Sequence, residues 1–458
     1  MTKKILFTYG HARAIYSWKM FGEILARLLN NPEYEVFWLA CQGNFSGACW
    51  YSTKSHLGYC NKCKNNCRLI ANYLGINEKN IIPIKKYKKL KFKKFNSMQE
   101  LINFKYDKYN LGLSAASTLM TITRDYNYDL KKYKKNIDNI LNTEQIILHN
   151  VIDYFEKYHF DEIHCFTGRT PTTYPLITYA QTNDIPYTVY EAGSKPDKLR
   201  IDVNTTPHDF YNLKNDIKKV WDRATVDRAE IASKWYEDRR AGKFQAIESF
   251  TKDQCKGLLP KDFDTNKENI AIFNSSADEI FAFDSWKHPL FDKDNDIIEK
   301  VLEHFKNDKT KHFYLRVHPN LTQAKKNKTS QIREINQLKK RYKNLTVIEP
   351  DEKIDTYALV DAANKVLTFG SSVGCEATYW NKISILAGKT QYEDDGCTYN
   401  ATSFEELFEL IDAKDLKPKP KETAYPYGYY NEVYGEKYKY FKIDDLKNGK
   451  LGELKIKG

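Results

Sequence analysis

The stretch Gly370-Ser371-Ser372-Val373-Gly374-Cys375-Glu376-Ala377 sets two hydroxyls between two glycines, directly after an apolar run from Val366 to Phe369. If the run is a strand and the stretch opens a helix, the unpartnered N–H groups of the first turn and the two hydroxyls form a seat for a phosphate. Plain N-capping by Ser371 and Ser372 is the competing reading. His318-Pro319 closes a second apolar run, His312 to Val317, with Arg316 two residues before the histidine. A histidine there donates to a phosphate oxygen, and a dianion favours its charged form. A third run, Ile270 to Phe273, ends in Asn274-Ser275-Ser276, with Asp278 and Glu279 following as candidates for ribose or sugar contacts.

A different chemistry is available at Glu191, which precedes Ala192-Gly193 after the run Tyr187 to Tyr190. A carboxylate with small neighbours approaches a substrate hydroxyl closely, and partial burial raises its proton affinity toward that of a general base; a surface carboxylate in a turn is the alternative. Arg169 and His11 also follow strand-like runs, Asp161 to Phe166 and Ile5 to Tyr9. Five of the nine cysteines fall between residues 41 and 67, and Cys41, Cys49, Cys60 and Cys63 have the spacing C-x7-C-x10-C-x2-C, with His56 and Cys67 nearby. Four thiolates so spaced can close a tetrahedral structural zinc, while reduced thiols, disulfides or an iron–sulfur centre remain open.

Ligands of open α/β sheets bind beyond the carboxyl ends of strands, so these residues call for parallel sheets beneath them. Between the runs Ile5–Tyr9 and Tyr34–Ala40, the positions Phe21, Ile24, Leu25, Leu28 and Leu29 have helical spacing, which reads as the start of a βαβ series. A long helical pattern from Leu130 to Tyr158 precedes the strands ending at Arg169 and Glu191. After a highly charged helical stretch, Asn215 to Gly242, a second series begins at Ile270. The expected fold class is therefore α/β, with two Rossmann-like domains facing an inter-domain cleft. Residues 1–245 form an N-terminal domain with a cysteine-rich insertion and residues 246–420 a C-terminal domain. The tyrosine-rich tail, 421–458, packs back across the domains.

With 14% aromatic and 41% hydrophobic residues among 458, a wholly disordered chain is excluded. No run approaches the roughly 18 apolar residues of a membrane span, and the N-terminus turns polar too early for a signal peptide, so a cytoplasmic location is expected. A net charge of +12 points to anionic partners. Lys85 to Lys94 holds seven lysines. Its plain reading is a solvated basic face; its functional reading is peripheral docking on the anionic inner face of the cell membrane or on an acidic glycan. RNA-binding aromatics, zinc-finger histidines and a helix-turn-helix pattern are missing from the sequence, so no nucleic-acid partner is expected.

Taken together, His318-Pro319, the Gly370–Ala377 stretch, Glu191-Ala192-Gly193 and Phe166-Thr167-Gly168-Arg169 resemble the motifs of bacterial capsular-polysaccharide glycosyltransferases of GT-B type, the group of the capsule Kdo transferases and polysialyltransferases. Thr167 departs from a Phe-Asn-Gly-Arg motif of that group, and Glu191 lacks a second acidic neighbour. The motifs fall in the right order between Phe166 and Ala377. The resemblance implies that His318, Ser371 and Ser372 hold the phosphate of a nucleotide-sugar donor, with Arg316, Ser275, Ser276 and Gly374 around it and Glu376 at its ribose or base. Glu191 would deprotonate an acceptor hydroxyl near Arg169 and His11, His318 would assist the leaving phosphate, and the acceptor would be a surface or capsular glycan or glycolipid. Inverting transfer without a catalytic metal follows, from a CMP-linked acidic sugar or a UDP or GDP donor. A teichoic-acid-type glycerol- or ribitol-phosphate transferase and a non-catalytic glycan- or nucleotide-binding protein are the alternatives.

Overall fold

The computed structural model describes residues 2–10, 15–43, 45, 49, 57–243, 251–288, 293–444 and 448–457. In chain order the strands are β1 (Lys3–Thr8), β2 (Tyr34–Ala40), β3 (Ile81–Pro83), β4 (Lys105–Tyr106), β5 (Tyr109–Asn110), β6 (Glu162–Phe166), β7 (Tyr187–Ala192), β8 (Lys198–Val203), β9 (Glu268–Phe273), β10 (Lys311–Arg316), β11 (Leu345–Ile348), β12 (Lys365–Thr368), β13 (Ile383–Leu386), β14 (Tyr399–Asn400), β15 (Glu436–Lys437), β16 (Phe441–Ile443), β17 (Asn448–Leu451) and β18 (Leu454–Lys457). The chain divides into two units. The first comprises Met1–Ile122, Asp129–Asp209 and Tyr434–Gly458; the second comprises Thr123–Tyr128 and Phe210–Val433.

The first unit holds a seven-stranded sheet in the order β15-β8-β7-β6-β1-β2-β3. β1, β2, β3, β6 and β7 run parallel, and β8 and β15 pair antiparallel at one edge. Alternate residues of the central strands serve opposite faces. Phe7 and Trp38 join Phe21, Ile24 and Leu25 of the helix Ile15–Leu29 in one core. Leu6, Leu39, Ile163 and Val189 join Ile147 and Val151 of the helix Lys134–Tyr158 in another. Burial on both faces explains why these strands read as continuous apolar runs rather than alternating ones.

The second unit holds a six-stranded sheet in the order β11-β10-β9-β12-β13-β14, all pairs parallel. Ile272, Phe313, Leu315 and Leu367 pack on one side, and Ala271, Tyr314, Ile348 and Val366 on the other. Two α/β units with parallel sheets are the expected Rossmann-like fold class.

The boundaries differ from the expected 245/246 division. The chain passes into the second unit at Phe210, because the helices Phe210–Asp222 and Arg228–Arg240 bury their apolar faces there: Phe210 meets the Trp286 ring at 5.1 Å and Tyr236 stacks on Tyr379 at 4.2 Å. The tail is shared out rather than packed as one piece. The tyrosine-rich helix Tyr425–Val433 lies in the second unit, where Gly428 makes room for the Tyr236 ring; a Cβ at Gly428 would come within 2.4 Å of it. From Tyr434 the chain returns to the first unit. There the carboxylate of Glu23, fully buried, accepts the backbone N–H groups of Lys439, Tyr440 and Phe441 at 2.7–2.9 Å.

Candidate functional site

Each sheet has one place where the strand order reverses, and polar residues gather at both. In the second unit the chain runs from β9 outward through β10 and β11, then returns to β12 on the other side of β9. The carboxyl ends of β10, β9 and β12 therefore stand side by side, and they carry His318, Asn274–Ser276 and Gly370–Ser372 respectively. This is the position at which open α/β sheets bind ligands.

Internal hydrogen bonds fix the three ends. The side-chain oxygen of Asn274 accepts the His318 N–H at 3.0 Å, tying β9 to β10. His318 Nδ1 accepts the N–H of Asn320 at 3.2 Å, so the neutral ring carries its proton on Nε2. Burial, then the charge of Arg124, pushes the His318 pKa down to about 4. At neutral pH it is thus a hydrogen-bond donor without charge. Ser276 donates to Asp278 at 2.6 Å, and the Ser275 N–H to Asp294 at 2.6 Å. Gly370 is required by closeness, since a Cβ there would lie 2.9 Å from the Ser275 hydroxyl.

The serine pair divides its work. Ser371 accepts the N–H of Val373 at 3.2 Å, whereas Ser372 donates to Glu376 at 2.9 Å. Glu376 also accepts from Arg239 Nε at 3.2 Å and from the Tyr357 hydroxyl at 2.5 Å. Arg239 Nη2 reaches Ser372 at 3.4 Å. Three expectations change here. Glu376 is 2% exposed and its carboxylate is occupied by protein donors, so it orients Ser372 and Arg239 instead of reaching a ribose. Gly374 faces inward, where a Cβ would meet the Tyr392 hydroxyl at 2.4 Å, so its role is packing. Arg316, 4% exposed, gives Nη1 and Nη2 to the carbonyls of Glu349 and Glu352, which braces the turn after β11. The helix after Ser372 has only seven residues, Val373–Tyr379, so the positive charge beside the serines is chiefly that of Arg239. Sequence reasoning passed over Arg239 because it lies in a charged helix without motif signal.

In the first unit the order reverses between β1 and β6. Beyond β6, Thr167 and Gly168 both adopt positive φ, 54° and 61°. A β-branched residue there is strained by roughly 1–2 kcal/mol. Thr167 stands beside Glu191 at the end of neighbouring β7, and the Glu191 carboxylate accepts the N–H of Ala192 at 3.0 Å. Burial raises the proton affinity of Glu191, and the Ala192 N–H, then Thr167 and Arg200, offset part of the rise. Arg200 is the register partner of Glu191 on β8 and holds Asp202 through Nε and Nη2 at 2.8–3.0 Å. His208 completes the group; burial first, then Arg169 and Arg200, push its pKa down to about 3. Arg169 itself meets the hydroxyls of Ser117 at 3.3 Å and Thr121 at 3.4 Å. The sequence exposed Glu191 and Arg169 at strand ends, but Arg200, Asp202 and His208 only come into view through the antiparallel pairing of β8. His11 lies outside the described residues, as does His56.

Cys41, Cys49, Cys60 and Cys63, joined by Cys67, line a cavity of about 370 Å³ with Tyr9, Trp38 and Phe45. Cys67 is held as a thiol, first by its hydrogen bond with Cys63 and then by burial. Among the described residues no three His, Cys, Asp or Glu side chains are grouped to hold a metal ion.

The lysine tract has neither helix nor strand. Two asparagines of the helix Lys134–Tyr158 hold it extended: Asn150 bonds the N–H and carbonyl of Lys85 at 2.7 and 3.0 Å, and Asn142 those of Leu90 at the same distances. All seven lysines stay exposed. Among the described residues no helix is long and apolar enough to cross a membrane.

Residues 286–415 match the family model described as capsule polysaccharide biosynthesis protein. That match spans β10 to β14, including His318 and both serines. No curated protein sequence matches the chain. Among solved structures, the chain is similar to the beta Kdo 2,4 transferase of Thermosulfurimonas dismutans KpsC, 15% identical over 59% of this chain and 79% of that one, TM-score 0.37. The beta Kdo 2,7 transferase of the same protein gives 14%, 62%, 80% and 0.36. A UDP-GlcNAc 2-epimerase from Neisseria meningitidis gives 14%, 94%, 95% and 0.30.

Proposed function

We propose that the chain is an inverting glycosyltransferase of capsule polysaccharide synthesis, moving a sugar from a nucleotide donor to a surface glycan. The observation that carries this reading is the row of phosphate-type partners at three adjacent strand ends of the second unit: His318 and Ser371–Ser372 within the segment that matches the capsule-synthesis model, Ser275–Ser276 just before it, and Arg239 beside Ser372. Glu191 takes the proton of the acceptor hydroxyl as its oxygen bonds to the anomeric carbon. The bond from that carbon to the donor phosphate breaks, and the nucleotide leaves with the electron pair. His318 Nε2–H and Arg239 stabilise the charge that collects on the leaving phosphate. Glu376 positions Ser372 and Arg239 for this.

Cations and N–H donors already placed at the leaving group do the work that a divalent ion does elsewhere. Transfer is therefore expected to persist in EDTA; loss restored only by magnesium or manganese would contradict this. The favoured donor is a CMP-linked acidic sugar, on the resemblance of the motifs, with UDP and GDP donors as the next to screen. Phosphorus NMR of the product separates the chemistries, because a plain glycoside contains no new phosphorus and a transferred polyol phosphate does. The exposed lysine rail supports docking on an anionic bilayer, each lysine adding about 1 kcal/mol near such a surface. Equal flotation with anionic and neutral vesicles would remove that part of the reading.

A further inference from the structure

The second unit contains a short piece of chain from far earlier in the sequence, Thr123–Tyr128. It is anchored on three sides. The Tyr126 hydroxyl donates to Glu334 and its ring lies 5.0 Å from Phe281; Asp125 accepts the N–H of Ser330 at 3.3 Å; the Asn127 carbonyl accepts the Ser330 hydroxyl at 3.2 Å. Arg124, held in the left-handed region at φ 54°, sets its Nη1 2.9 Å from Asp278 and 3.6 Å from Glu279. Glu279 in turn accepts the side-chain N–H of Asn320 at 2.7 Å, and Asn320 donates its backbone N–H to His318. Arg124 and His318 are thus three links apart on one network. Among the described residues the bonds of the guanidinium use Nη1 alone, and the side chain is 26% exposed while that of Asp278 is fully buried.

We propose that Arg124 binds the donor's nucleotide phosphate beside the Nε2–H of His318, in addition to balancing Asp278. This rests on the reading of the second unit as the donor half. A guanidinium offers five N–H donors in a planar fork, and Nε with Nη2 matches two phosphate oxygens. Arg124 supplies the fixed charge at this edge of the crevice, as Arg239 does beside Ser372. Burial, and after it the charge of Arg124, keeps His318 neutral, so its Nε2–H is offered without charge.

Removing Arg124 alone would strand the buried Asp278, so the test pairs Arg124→Gln with Asp278→Asn, which keeps the local net charge unchanged. Calorimetry on the full chain compares CMP, UMP, GMP and AMP with their nucleosides, for wild type, Arg124→Lys and the double variant. The expected result is a loss of roughly ten- to a hundredfold in monophosphate affinity for the double variant, a smaller loss for Arg124→Lys, and unchanged nucleoside affinity and melting temperature. Monophosphate affinity equal to wild type in the double variant would reduce Arg124 to a counter-ion and leave the donor-half reading standing. Failure of the wild type to bind any monophosphate would overturn both.

Discussion

The two sites reach their charge balance in opposite ways. In the second unit each candidate is locked by a neighbour: Ser372 by Glu376, Ser276 by Asp278, His318 by Asn274 and Asn320. The cations Arg239 and Arg124 face these networks with their carboxylate partners already in place. On the proposed reading, these locked groups form a preorganised seat for an anion. In the first unit Glu191 stands beside the strained Thr167, in a group where the charges of Arg169, Arg200 and Asp202 pull against one another and His208 is neutral. The proposed function asks the first arrangement to bind a fixed charge and the second to supply a carboxyl of raised proton affinity.

If this division of labour is right, the largest effect belongs to Glu191→Gln. Turnover is expected to fall by roughly 10²–10⁴-fold with donor affinity unchanged, measured as product formation alongside nucleotide binding. Arg239→Ala is expected to weaken donor binding by about ten- to a hundredfold. An effect of Arg239→Ala on turnover alone would break the contrast between the units.

The pH dependence sharpens it. Because burial raises the proton affinity of Glu191, the base form is lost as pH falls through a value above the usual carboxylate range. His318, already neutral down to about 4, contributes no limb near 6.5. The acid limb of kcat/KM is thus expected from Glu191, and a limb that vanishes in His318→Ala while persisting in an Arg169 variant would contradict the assignment.

Smaller effects concern stability. Lys311 is 2% exposed at its side chain and contacts Glu268, Asp308 and Asp412. Lys311→Ala is expected to destabilise the second unit by about 3–5 kcal/mol in denaturant unfolding without changing nucleotide specificity. Thr167→Gly relieves positive-φ strain and is expected to stabilise the first unit by about 1 kcal/mol while lowering turnover, since it removes the side chain beside Glu191. Stabilisation without loss of turnover would show that the strain has no part in the chemistry.

Much of the fold was legible because the central strands are buried on both faces and so read as apolar runs, from Ile5–Tyr9 to Val366–Phe369. β8 was not, since Lys198-Leu199-Arg200-Ile201-Asp202-Val203 alternates charged and apolar residues near the edge of its sheet. Missing β8 also hid Arg200, whose register places it opposite Glu191. The unit boundary was misplaced because the helix Arg228–Arg240 is mostly charged, and only Trp235, Tyr236, Ala232 and Asp238 are buried. Strand-end motifs such as His318-Pro319 announced themselves through local chain geometry. Arg124 and Arg239 did not, because only tertiary packing brings them to the site.

The most direct test of the account is calorimetric titration of the full chain with CMP, CDP, UDP, GDP and ADP, for wild type, Ser372→Ala, His318→Ala and Glu191→Ala. The account predicts that one nucleotide binds, that Ser372→Ala and His318→Ala both weaken it, and that Glu191→Ala leaves it unchanged. Absence of binding by every nucleotide, or equal loss in Glu191→Ala, would contradict a donor site built in the second unit and a base held in the first.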